Sequence, residues 1–126
     1  MKKLLLVMLL LNGICFAEGL PDPARQEIAH LFSYLETSGC QFNRNGSWHD
    51  AHEAADHLNT KYQYLLGKEL ISSAEDFVAN AATRSSMSGQ AYMVKCKDAV
   101  PVESAAWFLA ELETYRKSRQ KIPPKR

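Results

Sequence analysis

Three of the four histidines of this 126-residue chain lie in one short stretch, together with two carboxylates. The stretch contains His49, His52 and His57 with Glu53 and Asp56, and residues four apart on a helix lie on the same face. Imidazole and carboxylate groups are common metal ligands. The run from His52 to Asp56 resembles the His-Glu-x-x-His motif of zinc proteases, with Asp56 at the second histidine position. The helical wheel places His49, Glu53 and Asp56 toward water, where a metal ion has no sheltered site. The sequence therefore favours a solvated polar face and predicts no metal site, with metal binding by the three histidines as an alternative.

A second group of polar residues is predicted to border a groove. His57 and Lys61 lie one helical turn apart, at the edge of an apolar stripe. Arg44 and Asn45 from the preceding turn, and Arg84 from a later loop, can reach the same edge. Cationic and hydrogen-bonding groups of this kind suit a carboxylate or a phosphate. The alternative is structural: His57 bonds a nearby carbonyl or carboxylate, and Lys61 is ordinary surface.

The loop that begins at Arg84 is rich in hydroxyl groups. It contains Ser85, Ser86 and Ser88, followed by Gly89. A hydrolase would need one of the last two serines as nucleophile with His57 as its base, together with an oxyanion site. The loop has no Gly-x-Ser-x-Gly motif, and serines and glycines in loops most often form turns. We therefore predict no catalytic residue and keep the hydrolase as an alternative.

Four helices are predicted to position these groups. Pro23 marks the start of the first helix, the second opens at Ser47 after the Asn45-Gly46 turn, the third is capped within Ser72-Ser73, and the fourth starts near Glu103 or Ser104. Apolar residues recur at helical spacing in each. In the second helix, this stripe is predicted to bury Trp48, Ala51, Ala55, Leu58, Tyr62 and Leu65.

A short β element is predicted beside the helices. Residues 91–96 alternate in the manner of a strand, with Tyr92, Val94 and Cys96 on one face. The extended piece from Cys40 to Phe42 is a suitable partner for it. We expect a two-stranded pairing that brings the two cysteines together.

The N-terminus has the layout of a secretory signal peptide. A short basic region is followed by an apolar run from Leu4 to Leu11 and by small residues before Glu18. Cleavage after Ala17 leaves Cys40 and Cys96, and an even pair in an exported protein predicts a disulfide. We expect an exported, soluble protein.

Charge and composition limit the partners. Removing Lys2 and Lys3 leaves 13 basic and 14 acidic residues, so the predicted mature chain is nearly neutral. The C-terminal end is basic, and peripheral contact with an anionic membrane surface is the most it would support. It lacks the aromatic residues expected for binding single-stranded nucleic acid, so no nucleic-acid partner is predicted.

Several motifs follow one another along the chain. They are Arg44-Asn45-Gly46, His57-Leu58-x-x-Lys61, Ala74-Glu75-Asp76-Phe77, Ser85-Ser86-x-Ser88-Gly89-x-x-Tyr92-x-Val94 and a final aromatic helix. Their order resembles the YfeK-like family of small secreted bacterial proteins of unknown function. The resemblance implies a periplasmic location and a small, mostly helical fold, and it implies no activity.

Together these patterns predict a mostly α protein: a signal peptide at 1–17, one helical domain at 18–118 and a disordered basic tail at 119–126. The predicted function is a non-enzymatic binding or accessory module of the cell envelope, without a cofactor, that contacts an envelope protein or a small anionic ligand. The candidate contact residues are Arg44, Asn45, His57, Lys61, Arg84, Ser85, Ser86, Ser88 and Tyr92.

Overall fold

The computed structural model describes residues 20–120, in which four helices pack against a four-stranded antiparallel sheet. The predicted signal peptide and residues 121–126 of the predicted tail lie outside the described residues. No helix within the described residues is long and apolar enough to cross a membrane. In chain order, the elements are α1 (Asp22–Thr37), β1 (Gln41–Arg44), β2 (Ser47–Asp50), α2 (Ala51–Gly67), α3 (Ala74–Ala81), β3 (Met93–Lys95), β4 (Val102–Glu103) and α4 (Ser104–Gln120).

The mostly α class and the four helices are confirmed. The Ser73 side chain caps α3 by accepting a hydrogen bond from the Asp76 N–H, and α4 begins at Ser104 as predicted. It continues through Gln120, two residues into the segment predicted to be a disordered tail. Each helix buries one stripe of apolar side chains, as the spacing requires.

The predicted start of the second helix at Ser47 is wrong. Residues Ser47–Asp50 form β2, which pairs with β1 across the Asn45-Gly46 turn, and both turn residues have positive φ, 55° and 85°. That backbone twist is the one that joins two adjacent antiparallel strands, so the turn makes a hairpin instead of leading into a helix. Asp50 is the actual N-cap of α2, with its carboxylate accepting from the Glu53 N–H at 2.8 Å.

The β element is also larger than the predicted two strands. The sheet order is β2-β1-β3-β4, and the register pairs Phe42 with His49 on one side and with Val94 on the other. Directly paired residues of antiparallel strands point to the same face, so His49 shares the core face of the sheet with Phe42 and Val94. Trp48, predicted to be buried, lies on the opposite face and is 43% exposed.

The predicted disulfide between Cys40 and Cys96 is present, with Cα atoms 4.3 Å apart. It joins the residue just before β1 to the residue just after β3, and these strands pair as predicted. The bond therefore fixes the centre of the sheet across 56 positions of sequence.

One core lies between the helices and one face of the sheet. Phe77 of α3 is fully buried and contacts aromatic rings from three other helices, namely Phe32, Tyr62 and Phe108. His30, which the apolar pattern places on the surface, is half-buried between α1 and α4. Its Nε2 lies 2.6 Å from a Glu111 carboxylate oxygen, and its ring stacks on Tyr115.

Candidate functional site

A chain of three polar side chains joins α2 to the residue that precedes β3. Lys61 Nζ donates to the Tyr92 hydroxyl at 3.1 Å, and the same hydroxyl lies 3.1 Å from His57 Nε2. An ammonium group only donates, so the phenol oxygen accepts from Lys61 and its own proton is free to go to the imidazole. We therefore assign His57 Nε2 as the acceptor, which places the imidazole proton on Nδ1.

Burial and neighbouring charge keep His57 neutral. Its half-buried position lowers the pKa of the imidazole to about 4, and positive charge on Arg44 and Lys61 contributes in the same direction. Burial also raises the pKa of the Tyr92 phenol and lowers the pKa of the Lys61 ammonium. At neutral pH the His57 imidazole is therefore neutral, with one N–H left to donate.

Lys61 stabilises the site through contacts with two separate segments of the chain. Besides the Tyr92 hydroxyl, its Nζ donates to the backbone carbonyl of Arg84 at 3.0 Å, and it lies over the Tyr92 ring. It thus ties the loop after α3 to α2. Lys61 and Arg84 were predicted to line a patch with His57, but neither lines the pocket that His57 borders.

That pocket lies between α2, the β1–β2 hairpin and the start of α4. Its cavity volume is about 50 Å³, which is space for roughly four water molecules. Phe42, Ala54 and Leu58 form its apolar walls. The polar residues that line it are Arg44, His49, Glu53, His57, Tyr92 and Ser104.

Arg44 is the cation of the pocket. No carboxylate of residues 20–120 lies within 4 Å of its guanidinium. Glu53, the acidic residue at the rim, is directed to His49 instead, with 3.2 Å between Glu53 Oε1 and His49 Nδ1. The guanidinium is therefore available to a ligand.

Ser104 is a buried hydroxyl in the same pocket. It is 2% exposed, and its N–H donates to the Tyr92 carbonyl at 2.9 Å. Its Oγ makes no hydrogen bond with any side chain or backbone group of the described chain. A buried polar group in that state requires an explanation, because burial without a partner costs about 1–3 kcal/mol.

The serine loop has a structural role at two of its three serines. Ser85 is buried, and its Oγ accepts from the N–H groups of Met87 and Ser88, which closes a tight turn. Ser88 Oγ donates to Asn45 Oδ1 and so ties the loop to the hairpin turn. Ser86 is exposed at the loop tip.

A serine–histidine pair does not form in this arrangement. Among the described residues, the hydrogen bond of His57 goes to Tyr92, and neither Ser86 nor Ser88 forms a hydrogen bond with the imidazole. The hydrolase alternative requires such a contact or room to form one.

The residues of the metal alternative do not converge on one point in the described part of the chain. Within residues 20–120, no group of three or more His, Cys, Asp or Glu side chains could hold a metal ion. His49 belongs to β2 and not to the helix, while His52 is exposed on α2.

Of the predicted contact residues, Arg44, His57 and Tyr92 meet in the pocket, whereas Asn45, Lys61, Arg84, Ser85, Ser86 and Ser88 do not line it. Sequence reasoning missed His49, Glu53 and Ser104, together with the apolar walls. The Asn45-Gly46 signal for a hairpin would have placed His49 on the sheet. Nothing in the local sequence marks Ser104.

A family model covers most of the described chain, matching residues 22–116. The chain belongs to DUF5329, a family of unknown function. The narrower resemblance to YfeK-like proteins stays a prediction. No curated protein and no solved structure matches the chain. Membership in DUF5329 brings no activity with it, so a function has to be argued from the pocket.

Proposed function

We propose that this DUF5329 protein is a non-enzymatic binding module of the cell envelope and that the pocket beside His57 takes a small anionic group. The observation that carries the proposal is Arg44, a guanidinium at the pocket without a carboxylate partner in the described chain. Guanidinium is suited to planar anions because it presents several N–H donors in a fixed plane.

The neutral state of His57 supports binding over catalysis. With its Nε2 engaged by Tyr92 and a pKa of about 4, the imidazole is a weak base at neutral pH. Its role is that of a fixed donor, held in one orientation by the Lys61–Tyr92 contacts. A pre-oriented donor reduces the ordering cost of binding.

Export to the periplasm is part of the proposal. The sequence of residues 1–17 has the layout of a signal peptide, and the Cys40–Cys96 disulfide is a bond that persists in oxidising compartments. Cell fractionation with thiol counting tests this: we expect the protein in the periplasmic fraction with no free thiol. Recovery in the cytoplasm with two free thiols would contradict it.

The binding experiment is an NMR titration of the protein with acetate and with inorganic phosphate at pH 7 and constant ionic strength. We expect saturable amide shifts around Arg44 and His57 with at least one of these anions, and their loss in Arg44→Met. The matched control is Arg84→Met, an exposed arginine whose side chain does not line the pocket, which should bind as the wild type does. Equal loss in both variants would mean that general surface charge, and not the pocket, attracts anions.

A further inference from the structure

We propose that the ligand of this pocket is a carboxylate with a short apolar chain and that the Ser104 hydroxyl is one of the groups that select it. This inference rests on the proposed function and names its ligand class. It starts from hydrogen-bonding groups that the described chain leaves without partners.

Three such groups line the same pocket. Arg44 has no carboxylate partner, His57 has one ring nitrogen left after its contact with Tyr92, and Ser104 Oγ is buried without a hydrogen bond within residues 20–120. The guanidinium only donates, the imidazole donates through Nδ1, and the hydroxyl is free to donate. A ligand that satisfies all three must therefore offer several acceptors.

A carboxylate matches this set better than a phosphate. Its two oxygens provide about four acceptor positions and a single negative charge, against one unpaired cation in the pocket. A phosphate brings a further charge and further oxygens, which would face the apolar walls of Phe42, Ala54 and Leu58 or the Glu53 carboxylate at the rim. Polar oxygens buried without donors disfavour binding.

The pocket is partly open to solvent, so its size limits only the part of the ligand that is buried. Space for roughly four water-sized groups accommodates a carboxylate with one or two further carbons. Those carbons would contact the apolar walls, and each buried methylene contributes a factor of about four in affinity. α4 also begins at Ser104, so the positive end of its dipole lies at the carboxylate side.

Two sources share this chemistry: a free short-chain acid and the carboxyl end of a peptide. The probes are acetate, propionate, N-acetylalanine and inorganic phosphate, titrated into the full exported chain and followed by amide shifts. We expect propionate to bind about four-fold more tightly than acetate, and phosphate to bind at least about ten-fold more weakly than propionate. Tighter binding of N-acetylalanine than propionate identifies a peptide end as the source, and the reverse order identifies a free acid.

The decisive variant is Ser104→Ala. We expect it to weaken propionate about five- to ten-fold, while the stability of the ligand-free protein stays the same or rises, because the hydroxyl has no partner in the described chain to lose. The matched control is Ser85→Ala, a second buried serine whose Oγ does accept hydrogen bonds. It should lower stability and leave the propionate affinity unchanged.

The outcomes separate the two proposals. If phosphate binds more tightly than propionate, or if Ser104→Ala binds propionate as the wild type does, the carboxylate assignment is wrong and anion binding by the pocket stands. If no anion produces saturable shifts, the proposed function fails and the carboxylate assignment fails with it.

Discussion

The two ends of this molecule use arginine and histidine in opposite ways. At the helical end, where α1, α3 and α4 pack together, Arg116 of α4 forms bidentate hydrogen bonds with Glu27 of α1 and Glu75 of α3, at 2.7–3.1 Å. At the sheet end, around the pocket beside the β1–β2 hairpin, Arg44 has no carboxylate partner among the described residues.

The histidines repeat the contrast. His30, at the helical end, lies 2.6 Å from a Glu111 oxygen, whereas His57 contacts a phenol and retains a free ring nitrogen. Arg116 and His30 therefore have carboxylate partners that serve the fold. Arg44 and one ring nitrogen of His57 have no such partner among the described residues, and that difference identifies the pocket as the place to look for a ligand.

The largest expected effect is on the bond that holds the sheet end together. Replacing Cys40 and Cys96 by serine removes a cross-link whose loop of about 57 residues stabilises the fold by about 4 kcal/mol in the chain-entropy model. Urea unfolding measures the loss. Hydrogen exchange should show the amides of β1 and β3 losing protection before those of α1 and α4.

That experiment also tests whether the two ends are independent. Uniform loss of protection throughout the chain, or a stability loss below about 1 kcal/mol, would show that the disulfide has no special relation to the sheet end.

The two arginines provide a matched pair of intermediate effect. Arg116→Met leaves Glu27 and Glu75 facing each other without their shared cation, and we expect it to lower the free energy of unfolding by about 1–2 kcal/mol after allowance for its partial exposure. Hydrogen bonds from Arg116 lower the pKa of Glu75, so this contribution should fade as the pH falls through the acidic range.

Arg44→Met is the control, with an expected change within about 0.5 kcal/mol, because no ion pair is lost among the described residues. Thermal unfolding of both variants gives the comparison. Equal destabilisation by the two substitutions would remove the distinction between a structural arginine and a ligand-binding one.

The smallest expected effect is the acid sensitivity of the pocket. Burial and nearby cations hold the pKa of folded His57 near 4, below the value of about 6.5 in the unfolded chain. The unfolded state therefore binds more protons between these values, so His57 costs no stability above pH 6.5 and costs increasingly more as the pH falls toward 4. Allowing for the partial exposure of the ring, the cost reaches about 1 kcal/mol.

His57→Gln removes this titration and keeps a hydrogen-bonding group near Tyr92. We expect the melting temperature of both proteins to fall between pH 6.5 and pH 4. The fall should be about 4–8 °C smaller for His57→Gln than for the wild type. The exposed His52→Gln variant is the control and should follow the wild type. Parallel curves for His57→Gln and the wild type would contradict the proposed neutral state.

Much of the fold could be predicted from local patterns. The burial of Phe77 and Val78 in α3, the Ser73 cap and the start of α4 all follow from apolar spacing and capping residues. The Cys40–Cys96 bond was predicted from the cysteine count and the pairing of its two flanking segments. Arg44, His57 and Tyr92 were predicted as contact residues, and the structure brings them to one pocket.

The errors have one main physical cause. Trp48 and Ala51 stand three residues apart, which matches a helix, while the backbone twist of the Asn45-Gly46 turn requires a second strand before the helix begins. The helical pattern therefore predicted His49 in the second helix and Trp48 in the core. His49 lies in β2 instead, and Trp48 is exposed.

Local patterns were enough to predict four helices, the Asn45-Gly46 turn and the disulfide, because these depend on residues close in the chain or on one possible pairing. Which polar groups find partners depends on contacts between distant segments, and no local pattern contains those contacts. Arg116 and Arg44 look alike in the sequence, and their difference lies in whether carboxylates from distant helices reach them. Ser104 becomes a pocket residue because Tyr92 and α2 pack beside it, and no neighbour in the chain encodes that contact.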